Sequence, residues 1–592
     1  MKRYLTALMM LVAFSMGMQA QENQSYILHT IEKGQTLYSI SSMYHVSIDE
    51  ITALNPGSEN TIVEGRKLKI PRKQQNTSEG TFHTIASGET LYRLSVNYKV
   101  SVKSIMDANP GLTANNFKAG QVIRIPATSE ASDAPVQEAA AAAPTPKQIP
   151  DAVQSNCREM HRVEKGETVY SIARKFGVTE EDIYTANPEL KRDAKKLKKG
   201  KFICIPYPPK KEEPKQEIPT DKELFKQKEQ TPAKKINTIK AAVILPFLNN
   251  KGEKTSETER MVEYYQGFLL AIDSLKRTGT SVELFTYNSG EDVAQLNELL
   301  AKSEMKNMDI IFGPLYTSQI QPLGDFAQAN GIRLVVPFTS RDNTVYNNAA
   351  VYQINTPQSY FYSEVYEHFT RQFPRANVIF LQSQGNDKDE FIKGLKEELQ
   401  RKSIPMTTLS ESAADEDMKG AMRNDRDNFF IPTSGDKATL IKTLPQLTMV
   451  ARDSLLTTKV HLFGYPEWQT YTNDYLSTFF ELDTYFYTSF YTNNLLKEPQ
   501  NFIKKFQRWY GKDPEERYPS YSMLGFDTGF YFLKGLALYG SAFDDNLKNM
   551  RFTPIQTDFK LERVNNWGGF INKKVFFVHL SNEFQLSKLD FD

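Results

Sequence analysis

The sequence predicts an α+β array, one β-α-α-β unit in three copies, followed by an α/β domain of two lobes. Three observations carry this reading. One phrase recurs three times near the start, strands alternate with helices after about residue 238, and Pro-rich stretches punctuate the chain.

The repeated phrase is His29-Thr-Ile-Glu-Lys-Gly34-Gln-Thr-Leu37, then His83-Thr-Ile-Ala-Ser-Gly88-Glu-Thr-Leu91, then His161-Arg-Val-Glu-Lys-Gly166-Glu-Thr-Val169. Each is followed, at the same interval, by Asn-Pro at Asn55, Asn109 and Asn187, and each copy closes on Ile-Pro. Only the stretch between Asn-Pro and the closing Gly varies in length, which confines insertions to one loop.

Within a copy, Ile27, His29 and Ile31 alternate as a strand does, and Leu37, Ile40 and Tyr44 recur at helical spacing. Asp49, Ile51 and Leu54 predict a second short helix, ended by Asn55-Pro56 because proline lacks the donor a helix needs. Leu68 and Ile70 supply a partner strand.

This pattern resembles the LysM module, over residues 26–72, 81–126 and 157–206. The resemblance implies a glycan-binding module that reads N-acetylglucosamine in peptidoglycan or chitin through two loops. Carried over by position, the loops hold Gly34, Gln35, Thr36 and Leu37 with Asn55 and Pro56; Gly88, Glu89, Thr90 and Leu91 with Asn109 and Pro110; and Gly166, Glu167, Thr168 and Val169 with Asn187 and Pro188. An N-acetyl sugar offers a methyl, an amide and hydroxyls, so a shallow groove needs exposed backbone N–H and C=O groups, and a glycine turn permits that approach. Many family members carry Asp where this chain has Gln35, Glu89 and Glu167. Against the binding role stands the plainer one, in which Gly, Thr and Asn-Pro only shape turns and caps. Three weak grooves on one tether would gain from effective concentration.

Met1-Lys2-Arg3 precedes an apolar run from Leu5 to Met18 and small residues near Ala20, the layout of a secretory signal peptide over residues 1–20. The run is too short for a permanent anchor. No other long apolar stretch follows and the mean hydropathy is −0.50, so the mature chain is expected to be soluble, wall-associated and periplasmic, without a membrane span. Lys+Arg 72 against Asp+Glu 71 gives no field to attract nucleic acid.

The two cysteines, Cys157 and Cys204, bracket the third repeat, where the start of a first strand lies beside the end of an antiparallel last one. A disulfide is expected in an oxidising compartment, with two unpaired buried thiols as the alternative. The basic run from Lys191 to Lys201 lies in that repeat's variable loop, as a solvated segment or as an assist toward carboxylates. Residues 127–156 (Ala/Pro) and 207–237 (charged, Pro-rich) read as extended tethers.

From 238 to 592 the pattern changes. Strands are expected near 239–247, 282–287, 309–312 and 332–337 and then near 377–381, 428–432, 459–463 and 484–490. Helices fall between them, including 318–329, 358–372, 388–402, 437–451 and 499–510, which predicts parallel sheets covered on both faces. The aromatic tract from Tyr471 to Tyr491 reads as core rather than partner surface.

Ile311-Phe-Gly-Pro-Leu-Tyr-Thr-Ser318, Gly331-Ile-Arg-Leu-Val-Val-Pro-Phe-Thr-Ser340 and Gly525-Phe-Asp-Thr-Gly-Phe resemble words of the type I periplasmic binding proteins, with Asp527 expected to cap a helix. The resemblance implies a ligand cleft beyond the carboxyl ends of the strands, with Thr317, Ser318, Thr339 and Ser340 of one lobe facing Thr433, Ser434 and Tyr465 of the other. Ser and Thr at helix starts are also common caps whatever binds. An amino-acid receptor of this family also places an acidic residue in the second lobe, and none is assignable here. A similar bilobed domain occurs in outer-membrane activators of penicillin-binding proteins, where it contacts a synthase.

The function expected is therefore a non-catalytic wall tether that presents a partner- or ligand-binding domain, with a small-solute receptor as the alternative and a wall hydrolase as a lesser one. Four of the seven His (His45, His368, His461, His579) are scattered singly, and no His-Glu-x-x-His or Gly-x-Ser-x-Gly occurs. Neither a metal site nor a cofactor is expected.

Overall fold

In each repeat the first strand ends before the glycine turn, and a β-region Thr after the turn starts a helix. Thr36, Thr90 and Thr168 each accept a hydrogen bond from the backbone N–H three residues on, leaving helices Leu37–Tyr44, Leu91–Tyr98 and Val169–Phe176 capped. Second helices follow at Ile48–Leu54, Val102–Ala108 and Glu180–Ala186. The strands pair antiparallel: β1 (Tyr26–Thr30) with β2 (Lys67–Pro71), β3 (Thr81–Thr84) with β4 (Val122–Ile125), and β5 (Cys157–Arg162) with β6 (Phe202–Pro206).

The computed structural model describes residues 26–59, 61–72, 80–127, 157–192, 197–206, 220–230, 235–453 and 458–591. The expected signal peptide and nearly all of the 127–156 tether lie outside them, whereas part of the 207–237 segment, read as an extended tether, forms a helix over Asp221–Gln230 with Phe225 buried. Two compact units emerge, one joining the first two repeats to the α/β domain and one holding the third repeat.

In the third repeat, Val163, Ile172, Ile183, Ile203 and Ile205 form the core. Cys157 and Cys204 are disulfide-bonded, with Cα atoms 5.2 Å apart. Closing that loop restricts the unfolded chain and is worth about 4 kcal/mol in the chain-entropy estimate.

The α/β domain holds two seven-stranded sheets. The first consists of β7 (Thr238–Leu245), β8 (Ser281–Asn288), β9 (Ile310–Phe312), β10 (Arg333–Val336), β11 (Val351–Gln353), β17 (Leu561–Arg563) and β18 (Phe570–Asn572), in the order β17-β18-β11-β10-β9-β7-β8. The second consists of β12 (Ala376–Gln382), β13 (Met406–Ser410), β14 (Asp427–Pro432), β15 (Val460–Gly464), β16 (Thr484–Thr488), β19 (Phe576–Leu580) and β20 (Leu586–Asp590), in the order β13-β12-β14-β15-β16-β19-β20. Continuous apolar runs such as Ala241–Leu245, buried throughout, mark strands covered on both faces. The sheets are mixed rather than purely parallel, because β17 pairs antiparallel with β18, and β19 joins β16 and β20 antiparallel.

Glycine lets helix Ser256–Lys276 meet helix Tyr521–Tyr539 closely. A Cβ on Gly267 would stand 1.7 Å from Ser522 O, and one on Gly525 would stand 1.9 Å from Tyr264 O. Asp527 lies within that second helix and does not cap it. Its carboxylate accepts the backbone N–H groups of Ile555, Gln556 and Thr557 at 2.9, 2.8 and 2.7 Å, tying down the segment that follows. Burial pushes this carboxyl up to about 7 against the pull of those donors. Tyr485, Phe486 and Tyr487 of the aromatic tract are buried in the second lobe's core.

The sequence sets the first two repeats apart from the α/β domain, yet they pack onto it. The rings of Tyr44, Phe82 and Trp567 meet with centroids 5.0 to 5.7 Å apart. Gly111 N–H donates to Asn566 O at 2.9 Å and Asn566 Nδ2 donates to Val122 O at 3.1 Å. On the first repeat, Asn347 Nδ2 donates to Ser42 O at 2.7 Å, Asn343 Nδ2 donates to Tyr38 OH at 2.6 Å, and Lys33 pairs with Glu364 at 3.0 Å and with Glu367.

Candidate functional site

The glycine turn comes first. Gly34, Gly88 and Gly166 take φ of 80°, 80° and 92°, values that side chains rarely adopt, so the turn exposes main chain. The residue after each glycine folds back into its own repeat. Gln35 Oε1 accepts from His29 Nε2 at 2.7 Å and from Glu32 N–H at 2.9 Å, while Tyr44 OH donates to His29 Nδ1 at 2.8 Å. Glu89 accepts from His83 Nε2 and Ala86 N–H, both at 2.7 Å, and Glu167 from His161 Nε2 and Glu164 N–H, both at 2.8 Å.

Gln35, Glu89 and Glu167 thus staple the turn to the first strand, and hydrogen bonds within each repeat occupy their side chains. Burial raises Glu89, but the Ala86 N–H and His83 outweigh it and hold the carboxyl below its ordinary value. The Glu164 N–H, with His161, lowers Glu167 in the same way. In the first repeat Gln35 carries no charge, and burial pushes His29 down.

The Asn of each Asn-Pro is committed too. Asn187 Nδ2 donates to Ile183 O at 2.8 Å and Cys204 O at 2.7 Å, and its Oδ1 accepts Cys204 N–H at 2.8 Å. Asn55 and Asn109 make the same three bonds to Ile51 and Lys69 and to Ile105 and Arg124. A two-stranded sheet leaves one edge of its last strand unpaired, and this carboxamide fills it. Thr36, Thr90 and Thr168 are helix caps, and Leu91 and Val169 are buried core.

Outside these hydrogen bonds lie the turn backbone, unobstructed at Gly88 and Gly166, the exposed Pro56 and Pro188, and a residue the sequence reading passed over. Tyr38, Tyr92 and Tyr170 follow Leu37, Leu91 and Val169 in every copy, and Tyr38 and Tyr170 are 56% and 60% exposed. Tyr92 is half-buried, and a tyrosine recurring at one position in all three copies, beside a glycine turn, was the signal that could have found them.

In the α/β domain, Thr317 and Ser318 are exposed at the start of helix Thr317–Ala329, and Thr339 and Ser340 are half-buried. Thr433, Ser434 and Tyr465 instead lie inside the second lobe. Thr433 Oγ1 accepts Ser383 N–H at 2.9 Å, Ser434 Oγ accepts Asp436 N–H at 3.3 Å, and Tyr465 OH donates to Pro432 O. The second-lobe half of the expected cleft is therefore built into local structure. Among the described residues no His/Cys/Asp/Glu cluster could hold a metal ion.

The LysM domain family matches residues 29–71, 83–126 and 161–206. The chain is similar to the N-acetylmuramoyl-L-alanine amidase sle1 of Staphylococcus epidermidis, 26% identical over 189 residues that make up 31% of this chain and 53% of the relative. The Staphylococcus aureus amidase sle1 is 26% identical over 198 residues, 31% of this chain and 55% of the relative. The chain spans about half the length of these relatives, and the match lies in the LysM region. Among solved structures, a branched-chain amino acid ABC transporter protein from Rhodospirillum rubrum covers 59% of this chain and 99% of its own at TM-score 0.40 and 11% identity. A substrate-binding protein from Desulfitobacterium hafniense, in complex with Leu, covers 60% and 100% at TM-score 0.35 and 14% identity. Residues 29–71, 83–126 and 161–206 are three LysM domains, and they accompany an α/β domain of two mixed seven-stranded sheets.

Proposed function

We propose that the chain is a non-catalytic, extracytoplasmic peptidoglycan-binding protein. Its LysM domains hold N-acetylglucosamine-containing glycan and station the α/β domain at the cell wall, where it contacts a wall-synthesis or remodelling enzyme. The observation that carries the reading is the threefold recurrence of a glycine turn followed by a capped helix and a Tyr, outward in the first and third copies, in domains of a glycan-binding family. Hydroxyls and amides of an N-acetyl sugar suit main-chain donors and acceptors, and the sugar's C–H face suits a tyrosine ring. The inward packing of Thr433, Ser434 and Tyr465 favours a contact role for the second lobe over small-solute capture. The amidase activity named for the staphylococcal relatives belongs to proteins matched over these domains alone.

Co-sedimentation of residues 21–592 with purified peptidoglycan sacculi tests the proposal. The chain is expected in the pellet and is expected to be released by soluble chitooligosaccharide. Recovery in the supernatant at every protein concentration would overturn it.

A further inference from the structure

The first repeat differs from the other two in what faces its glycine turn. Nothing lies within 4 Å of a Cβ built on Gly88 or Gly166, whereas one on Gly34 meets Tyr360 and Ser363 of helix Gln358–Gln372. Two cavities, of about 950 and 440 Å³, adjoin this contact. Both are bounded by Gly34, Gln35, Thr61 and Ile62 of the repeat and by Tyr366 and Glu397 of the α/β domain. The repeat's two loops thus form one wall, and helices Gln358–Gln372 and Asp389–Arg401 form the other.

We infer that the first LysM domain and the second lobe build one composite site for an N-acetyl sugar together with the peptide it carries. This rests on the wall-binding reading above and adds the substrate class. A bare glycan of N-acetyl sugars is neutral and needs no charged wall, but the facing helix carries both signs. Lys393 and Glu397, one turn apart and both exposed, border the smaller cavity, and among the described residues neither has an ion-pair partner. A peptide with a free carboxylate and a free amine matches that pair. Tyr366 stands beside them, its hydroxyl donating to Phe391 O at 3.0 Å, and the missing side chain of Gly394 makes room for it. Its ring offers a fixed apolar surface to a sugar face. The combined space is adequate for a ligand of that size.

The test is calorimetry on residues 21–592 with two probes, a disaccharide–tetrapeptide muropeptide and peptide-free chitotetraose, repeated for Lys393→Ala and Glu397→Ala. The unaltered chain is expected to prefer the muropeptide. Each variant is expected to weaken it by about tenfold while leaving chitotetraose binding and sacculus retention unchanged. Equal affinity for both probes, or variants that bind the muropeptide like the parent, would overturn the composite site while sacculus retention keeps the wall-binding reading. Loss of sacculus retention by the unaltered chain would remove both.

Discussion

Gly34 rests against Tyr360: a Cβ built on the glycine would stand 2.7 Å from the tyrosine Cδ1 and 2.9 Å from its Cα. The turn proposed to read sugar through its main chain is, in the first repeat, also a docking surface for the helix Gln358–Gln372. Gly34→Ala is therefore expected to act differently from Gly88→Ala and Gly166→Ala. All three meet the backbone cost of a positive φ, about 1–2 kcal/mol, but only the first also pushes the repeat off the α/β domain. Limited proteolysis and thermal melts of the three variants check this, with the Gly34 variant alone exposing the first repeat to cleavage.

The Asn that closes the last strand should be among the costliest polar residues to remove. Asn187→Ala would strip Cys204 N–H and Cys204 O of their partner inside a buried site, while Ile183 O would keep the backbone N–H of residue 187. The loss expected is about 3 kcal/mol, set by the desolvated groups left behind. Urea unfolding followed by a reporter in the third repeat measures it. Asn187→Asp should recover little, since a carboxylate cannot donate to the two carbonyls.

Stability of the first unit should show a histidine-dependent fall on acidification. His368 is buried beside Arg371 and Lys33, and burial, with these cations, pushes it down to about 4. A His whose folded value lies below its unfolded one, about 6.5, binds more protons when unfolded. Its contribution is complete above about pH 6.5 and is lost as the pH drops toward 4. His368→Gln should flatten that part of the thermal-midpoint profile relative to the parent. Asp527, raised by burial, acts in the opposite direction in both proteins and cancels in the difference.

Gln35→Glu should convert the first repeat's staple into the kind seen in the other two. A carboxylate beside His29 would favour its protonated form and raise it, where burial now lowers it. The His29 ring resonances in a pH titration by NMR are expected to shift their midpoint upward in the variant.

Reduction of the disulfide, or the Cys157→Ala/Cys204→Ala pair, should cost the third repeat about 4 kcal/mol of stability. The first two repeats carry no cysteine, so their melting should be unchanged.

The repeats were legible because their periods are short and local. Leu37, Ile40 and Tyr44 mark a helix face, and Ile51 with Asn55-Pro56 marks the next helix and its end. The parallel strands at β7, β12 and β14 were legible as apolar runs too dense for a half-exposed strand. Short strands among aromatic and Gly-rich sequence, such as Phe570–Asn572 and Leu561–Arg563, gave no period to read; they pair with each other locally, but Phe570–Asn572 joins its sheet through Tyr352 and Gln353, more than 200 positions away. The loop positions were legible, but not what their side chains do. Gln35, Glu89, Glu167 and the three Asn residues sit where the LysM resemblance places them, yet hydrogen bonds within each repeat claim their side chains. The meeting of Gly34 with Tyr360 spans more than 300 residues of sequence, and no local pattern encodes it.

The most direct measurement is a two-dimensional NMR titration of isotopically labelled residues 21–592 with chitotetraose, following backbone amides. The account predicts shifts concentrated at Gly88–Leu91 and Gly166–Val169 and at the loops after Asn109 and Asn187, with ring signals of Tyr92 and Tyr170 moving alongside. Unmoved amides at both turns, with the sugar in excess, would contradict it.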